Sequence, residues 1–376
     1  MQGEHVCRRS FLRCGAAAGV AALAGCTGQR RQGRDVSLED FRGSGAVVGS
    51  RGDITATSIH DLPDLSGRLT LYLGGGEGGL YVQLLNLFKD VYPDFDPQVR
   101  TAPSAQWANT IIEEMRGSGS KADVFWSVDA GSLATVADAG YTVTLPLEAV
   151  DPVPAQFHPG DAWVGTAGRA RAIPFNTEQF TEDDLPDSID AYATDSRFAG
   201  TMGWAPTYGA FQSFVTAMRV LEGEAATKEW LRGMLDQDVA EYKNEFFVSN
   251  AVADGEVGAG FANHYYALRV QAAREDAPLD LAFTTDDAGA LIDAAGTAIV
   301  EGTDREDLAV TFVRHLLSAE AQEFFATRTF AYPMVAGVPP VGGLPRIDEL
   351  APPDLDLSKL ADLEPTLDLM REVGVL

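Results

Sequence analysis

Strand and helix patterns alternate through the body of this chain, and that alternation restricts its fold more than any other feature. Residues 68–73 (Arg-Leu-Thr-Leu-Tyr-Leu) read as a strand ending in the glycine run Gly74-Gly75-Gly76-Glu77-Gly78-Gly79. Residues 80–92 then place Leu84, Leu85, Leu87, Phe88 and Val91 at helical spacing. A second strand is expected over 99–102, a helix over 109–116, a strand over 122–127 and a helix over 133–139. Repeated β-α-β order calls for a parallel sheet with helices on its faces. Right-handed crossovers then put binding loops at the carboxyl ends of the strands.

A second unit of the same kind begins near Gly168. Residues 169–176 read as a strand leaving the first half, with helices over 210–221 and 225–235 and a glycine-punctuated return strand over 289–300. A helical pair is expected over 304–327, with Leu308, Phe312, Leu316, Leu317, Phe324 and Phe325 facing the core, and a last helix near 365–373. A chain that leaves one α/β lobe and returns to it makes two lobes joined by crossing strands, a shape that closes on a ligand by hinge motion. The expected division is 67–168 plus 295–345 for the first lobe, 169–294 for the second, and 346–376 for a helical tail.

Charge and cysteine usage narrow the function. With 55 acidic against 28 basic residues (net −27 over 376), the chain lacks the basic excess that non-specific nucleic-acid binding needs. Its only lysines are Lys89, Lys121, Lys228, Lys243 and Lys359; an acidic, lysine-poor surface is expected of a halophile, where salt screens carboxylate repulsion. The cysteines are Cys7, Cys14 and Cys26, so the body has no disulfide, thiolate metal site or cysteine nucleophile. Arg8-Arg9-Ser10-Phe11-Leu12, an apolar run over 15–24 and Leu23-Ala24-Gly25-Cys26 follow the order of an export signal. The paired arginines resemble a twin-arginine signal, and Leu-Ala-Gly-Cys resembles a lipobox that would lipidate Cys26. Residues 1–26 are thus expected to be a signal and 27–66 a flexible tether, with the body anchored at the outer face of the cytoplasmic membrane. No apolar run is long enough for an ordinary spanning helix.

The densest cluster of chemistry is Gly255-Glu256-Val257-Gly258-Ala259-Gly260-Phe261-Ala262-Asn263-His264-Tyr265-Tyr266. In a regular strand the two tyrosines would point to opposite faces; at a turn their phenols can converge. A phenolate is a hard anionic oxygen suited to Fe(III), and a trivalent ion would deprotonate a group whose free pKa is about 10. The other reading of the pair is two core aromatics.

That segment resembles the tyrosine-pair segment of bacterial ferric-ion-binding proteins, class II periplasmic binding proteins that feed ABC iron importers. Further matches occur in order: Leu69-Thr70-Leu71-Tyr72, Lys121-Ala122-Asp123-Val124-Phe125-Trp126-Ser127, Gly168-Arg169-Ala170-Arg171 before Asn176-Thr177, Ala205-Pro206-Thr207-Tyr208-Gly209-Ala210-Phe211, Tyr242-Lys243-Asn244 and Ala331-Tyr332-Pro333. The resemblance spans about 66–345 and implies a two-lobed type II periplasmic-binding-protein fold, each lobe a mostly parallel sheet flanked by helices. It implies an Fe(III) cargo, with phosphate or carbonate as a synergistic anion, held by a monomer that delivers it to an ABC permease and its ATPase.

Carried over residue by residue, the resemblance makes Tyr265 and Tyr266 the phenolate ligands. Tyr208 could offer a third phenol. The family's first-lobe histidine has no match; Glu77 stands in that loop. The family's glutamate position holds Val128, with Asp129 beside it, and a hinge-strand tyrosine is Phe175 here. Thr207, Gly209, Ala210, Asn244 and Asn263 match the anion pocket. His264 reads as structural and His315 as a surface residue of its helix. No HExxH, Walker A, Gly-x-Ser-x-Gly or Ser/His/Asp pattern occurs, so binding rather than catalysis is expected. The alternative is the same receptor class carrying thiamine, a polyamine or an organophosphonate. Such ligands would want stacking on Trp126, Trp204 or Tyr208 and a carboxylate such as Asp129.

Overall fold

A computed structural model describes residues 33–49, 51–75 and 79–376. Arg8, Arg9, Cys26 and Glu77 lie outside the described residues. A short helix α1 (Leu38–Phe41) precedes the first strand. The first alternation is β1 (Gly67–Gly74), α2 (Leu80–Val91), β2 (Phe95–Ala102), α3 (Ser104–Arg116), β3 (Val124–Ser127), α4 (Ala130–Asp138) and the short α5 (Leu147–Val150). The long strand β4 (Val164–Asn176) leads to α6 (Ile189–Thr194), β5 (Met202–Trp204), α7 (Gly209–Glu222), α8 (Glu224–Asp236), β6 (Ala240–Glu241) and α9 (Glu245–Ala253). Next come β7 (Ala259–Gly260), β8 (Ala262–Asn263), α10 (His264–Ala273), β9 (Leu279–Ala282), the return strand β10 (Ile292–Ile299), α11 (Glu306–Leu316), α12 (Ala319–Phe324), β11 (Tyr332–Pro333) and α13 (Glu364–Val373).

Hydrogen bonding links the strands in the order β2-β1-β3-β10-β4-β7-β5-β6, with β8, β9 and β11 also on β4. The sheet is mixed, parallel among β1, β2 and β3 and among β5, β6 and β7 and antiparallel about β4 and β10. β10 runs antiparallel between β3 and β4, and the partners of β4 are all antiparallel to it. A strand that leaves a lobe and one that returns must run in opposite directions, and here the two lie side by side. β4 serves both halves: residues near its start pair with β10 and β11, and residues near its end with β7, β8 and β9. Its Val/Ala/Ile/Phe-rich sequence is buried nearly throughout, as a strand covered on both faces must be.

Residues 33–66 depart from the tether expected of them. Six of their apolar side chains, Val36, Phe41, Val48, Ile59, Leu62 and Leu65, are buried. Their polar groups bind two carboxylates buried in α12. Arg51 reaches Glu323 through Nε (2.9 Å) and Nη2 (2.7 Å), and Arg42 Nε donates to the same carboxylate at 2.6 Å. Ser58 Oγ and the Ile59 amide donate to Glu320. The segment looks polar in sequence because each buried residue stands alone.

The tail after 346 also crosses the molecule. Leu357 and Leu360 are buried where their turn meets α4 and α7, and α13 lies on α7 and α8. Arg219 of α7 donates to Asp362 and to Thr366 Oγ1. His315 is fully buried rather than on the surface: Nε2 meets Tyr92 Oη at 3.0 Å and Nδ1 the Thr311 carbonyl at 2.8 Å. Burial lowers its pKa to about 4.

Candidate metal centre

A cavity of about 580 Å³ opens where the carboxyl ends of the parallel strands face each other. Gly75, after β1, and Val128, after β3, line one side; Tyr208, Tyr265, Tyr266 and Arg269 line the other. Arg169 of β4, with Arg328 and Phe330 from the chain after α12, completes the wall.

The phenols converge because two helices begin there. Tyr265 and Tyr266 occupy the first turn of α10, where the chain turns out of β8, so they need not point to opposite faces. Their rings lie 4.3 Å apart at 46°. Tyr208, the residue before α7, approaches from the other helix start and its hydroxyl hydrogen-bonds to that of Tyr266. Asn263 Nδ2 lies 3.5 Å from the Tyr265 hydroxyl. Arg269, one turn after Tyr265, lays its guanidinium over both rings, at 4.9 Å from Tyr265 and 5.6 Å from Tyr266.

Burial raises the pKa of Tyr265, partly offset by the positive charge of Arg169. Burial raises Tyr266 as well, helped by Tyr265 and by the bond to Tyr208. Both are therefore neutral phenols until a cation displaces their protons. Among the described residues no group of three or more His, Cys, Asp or Glu could hold a metal ion, so phenol oxygens are the hard ligands this cleft offers.

Positive charge surrounds them. Arg169 pairs with Asp293, its partner across the β4–β10 ladder, through Nη2 at 2.5 Å. Its Nε is buried and without a hydrogen-bond partner. Three arginines and no carboxylate line the cavity among the described residues, an arrangement that favours an oxyanion beside a cation.

Sequence-predicted residues divide into three groups. Tyr208, Tyr265 and Tyr266 come together in the cavity. Asp129 and Asn244 are engaged elsewhere, and Asn263 touches the site only through the Tyr265 hydroxyl. Asp129 caps α4 through the Ser132 amide, and Asn244 caps α9 through the amides of Phe246 and Phe247. Asn263 Oδ1 accepts from Arg171, and its backbone N–H donates to Glu245. Thr207 precedes Tyr208, and Gly209 and Ala210 open α7, but none of the three lines the cavity. His264 is buried outside the cavity lining, with Nε2 2.8 Å from the Phe330 carbonyl and Nδ1 3.2 Å from the Ala170 carbonyl; burial lowers its pKa to about 4, so the neutral ring donates to one of the two. Trp126 and Trp204 are buried away from the cleft, Trp126 stacked on Tyr81 and Trp204 against Phe211. The cleft thus has aromatic rings in its tyrosines but, among the described residues, no carboxylate that an organic cation would want. Sequence reasoning misses Arg169, Arg269 and Arg328 as site residues. The helical spacing of Arg269 from Tyr265 is the available signal.

The chain resembles known proteins along most of its length. Residues 84–347 match the bacterial extracellular solute-binding protein family. The major ferric iron-binding protein of Neisseria meningitidis serogroup A is 32% identical over 284 residues, 74% of this chain and 85% of that protein. The Fe(3+)-binding periplasmic protein of Serratia marcescens is 26% identical over 283 residues, 74% of this chain and 82% of that protein. Among solved structures, iron-bound HitA from Pseudomonas aeruginosa superposes with a TM-score of 0.68 at 29% identity, covering 82% of this chain and 99% of that one. A Trichodesmium protein in complex with iron and citrate shares the fold at a TM-score of 0.69 and 23% identity, over 82% of this chain and 99% of that one. Fold, matched length and relatives agree: this chain belongs to the bacterial extracellular solute-binding protein family.

Proposed function

We propose that the chain is the ligand-receiving component of an ABC importer and that its cargo is Fe(III). It is not an enzyme. Tyr265, Tyr266 and Tyr208 supply phenolate oxygens, and an oxyanion such as phosphate or carbonate completes the metal's shell. Arg169 and Arg269 hold that anion in place of Asn244 and the start of α7. Cys26 anchors the exported monomer to the membrane, closure of the halves about β4 encloses the ion, and the closed form is presented to a permease driven by its ATPase. First-lobe side chains add no ligand among the described residues.

The observation that carries the reading is the convergence of three phenols in a cleft ringed by arginines and free of carboxylates among the described residues. Fe(III) is the cargo that turns buried neutral phenols into ligands. A visible titration with ferric nitrilotriacetate in high salt tests it. A tyrosinate-to-iron band is expected in the native chain and is weakened or lost in Tyr265→Phe and Tyr266→Phe. Absence of both a band and any thermal stabilisation by iron defeats the reading and turns the search to an organophosphonate, which the arginines would also suit.

A further inference from the structure

Residues 33–43 precede the family-matched stretch, yet they reach the cleft through Arg328. After α12 the chain makes a single π turn over Phe325–Thr329, and Phe330 comes next in the left-handed region (φ 60°). Such a turn inserts a residue into the helix and re-aims the chain beyond it. It carries Arg328 into the cavity wall, stacked 5.2 Å from the Phe324 ring centre.

The direction of that guanidinium is fixed by α1. Arg328 Nε donates to the Phe41 carbonyl at 2.8 Å, and Nη2 donates to the Asp40 carbonyl at 2.9 Å. The same turn is tied again where the Gly43 amide donates to Thr327 Oγ1 at 2.7 Å. Gly43 sits so close that a Cβ there would meet the Thr327 carbonyl oxygen at 2.4 Å. α1 is held in turn by the reciprocal Ser37–Asp40 cap, by Phe41 packed against Phe88, and by Arg42 on buried Glu323. Guanidinium carries five N–H donors in a rigid fork, so two bonds to carbonyls fix its plane and leave donors for a ligand. A fork oriented in advance binds an oxyanion with less ordering cost than a free arginine.

We infer that Arg328 contacts the oxyanion of the cleft and that residues 33–43 aim it, making the segment before the first strand part of the binding site. This rests on the reading that the cleft takes Fe(III) together with an oxyanion. In the full chain, iron affinity is measured with ferric nitrilotriacetate at varied phosphate or bicarbonate, and each anion is also tested alone by thermal shift. Arg328→Ala weakens the anion-dependent part of iron affinity about tenfold to a hundredfold, the worth of a charged forked contact, while the tyrosinate band survives at saturating iron. Arg328→Lys, which keeps charge and loses the fork, does not restore it. Gly43→Ala pushes α1 off the turn without opening the core, and Phe41→Ala loosens α1 from within; each gives a smaller loss that disappears in the Arg328→Ala background.

Unchanged anion dependence in Arg328→Ala overturns the inference, as does full rescue by lysine or additivity with Gly43→Ala. If the native chain gives no tyrosinate band, the ferric reading fails separately. The inference then stands only if phosphate or bicarbonate alone stabilises the native chain and not Arg328→Ala, and it falls if neither anion does so.

Discussion

Glu323→Ala should cost about as much stability as any single substitution outside the apolar core. The Glu323 side chain is fully buried, and the Arg51 side chain is 4% exposed. Arg51 binds both carboxylate oxygens and also donates to the Pro339 and Pro340 carbonyls. Removing the carboxylate strands a guanidinium where water cannot replace the lost partner. Breaking a buried pair in this way costs ~3–5 kcal/mol, a large part of the ~5–15 kcal/mol that holds a domain folded. Arg42, whose side chain is 20% exposed, can turn to solvent, so Arg42→Ala should cost only ~1 kcal/mol. Urea unfolding at constant high salt measures both, and the double variant Arg51→Met/Glu323→Leu separates charge from packing. The double variant should recover most of the loss, because an apolar pair of similar volume is often neutral in place of a buried ion pair. A Glu323→Ala loss below ~1 kcal/mol, or a double variant as unstable as Glu323→Ala, would refute the account of how the segment is held.

Other outcomes follow from single contacts. His315 stays neutral in the folded chain down to about pH 4, whereas the unfolded chain takes up its proton near 6.5; the stability this confers is full above 6.5 and is lost as pH falls toward 4, up to roughly 3 kcal/mol, a slope that His315→Gln should flatten in pH-dependent melts. Gly260→Ala would bring a Cβ to 2.4 Å from Val248 Cγ1 and 2.9 Å from the Gly203 carbonyl oxygen, so it should lower stability by ~1–3 kcal/mol in thermal unfolding. Glu245→Gln weakens the buried tie to Arg171 and the Asn263 amide and should destabilise the chain by more than ~1 kcal/mol in the same assay. A chain of net charge −27 should gain stability as salt rises from dilute to molar; a melting temperature indifferent to salt would remove self-repulsion as a factor.

Much of this was legible in the residues. The β-α-β order came from apolar periodicity, which depends only on neighbours, and it places β1, α2 and β3 nearly where the structure has them. The tyrosine pair stood out as adjacent phenols at a strand-to-helix junction, with two core aromatics as the other reading, and it was the resemblance to ferric-ion-binding proteins that favoured ligation and drew Tyr208 in. The arginines around them carry no such mark. Arg169 belongs to a strand, and Arg328 to a turn whose π geometry has no sequence signature. Residues 33–66 were unreadable for another reason: Phe41 and Ile59 are isolated, and the side chains that bury them lie far along the chain. Asn244 and Asp129 show the reverse case, residues with suitable oxygens in suitable places whose bonds are spent on capping a helix.

The route of the chain also sets the order in which the cleft can come into being. The second half draws its sheet from consecutive sequence around β4 to β9, and α10 with its tyrosines lies within that stretch. The first half must wait for β10 to slot between β3 and β4, and residues before β1 wait longer still: Arg42 meets Glu323 across a separation of 281 residues. Contacts this distant form slowly and late. During synthesis the phenols are therefore made well before there is a cavity to hold them. A chain that stops short of α12 has the tyrosines proposed as ligands without Arg328 and Phe330, which complete the cavity wall, so on that proposal loading becomes a test of whether the molecule was finished.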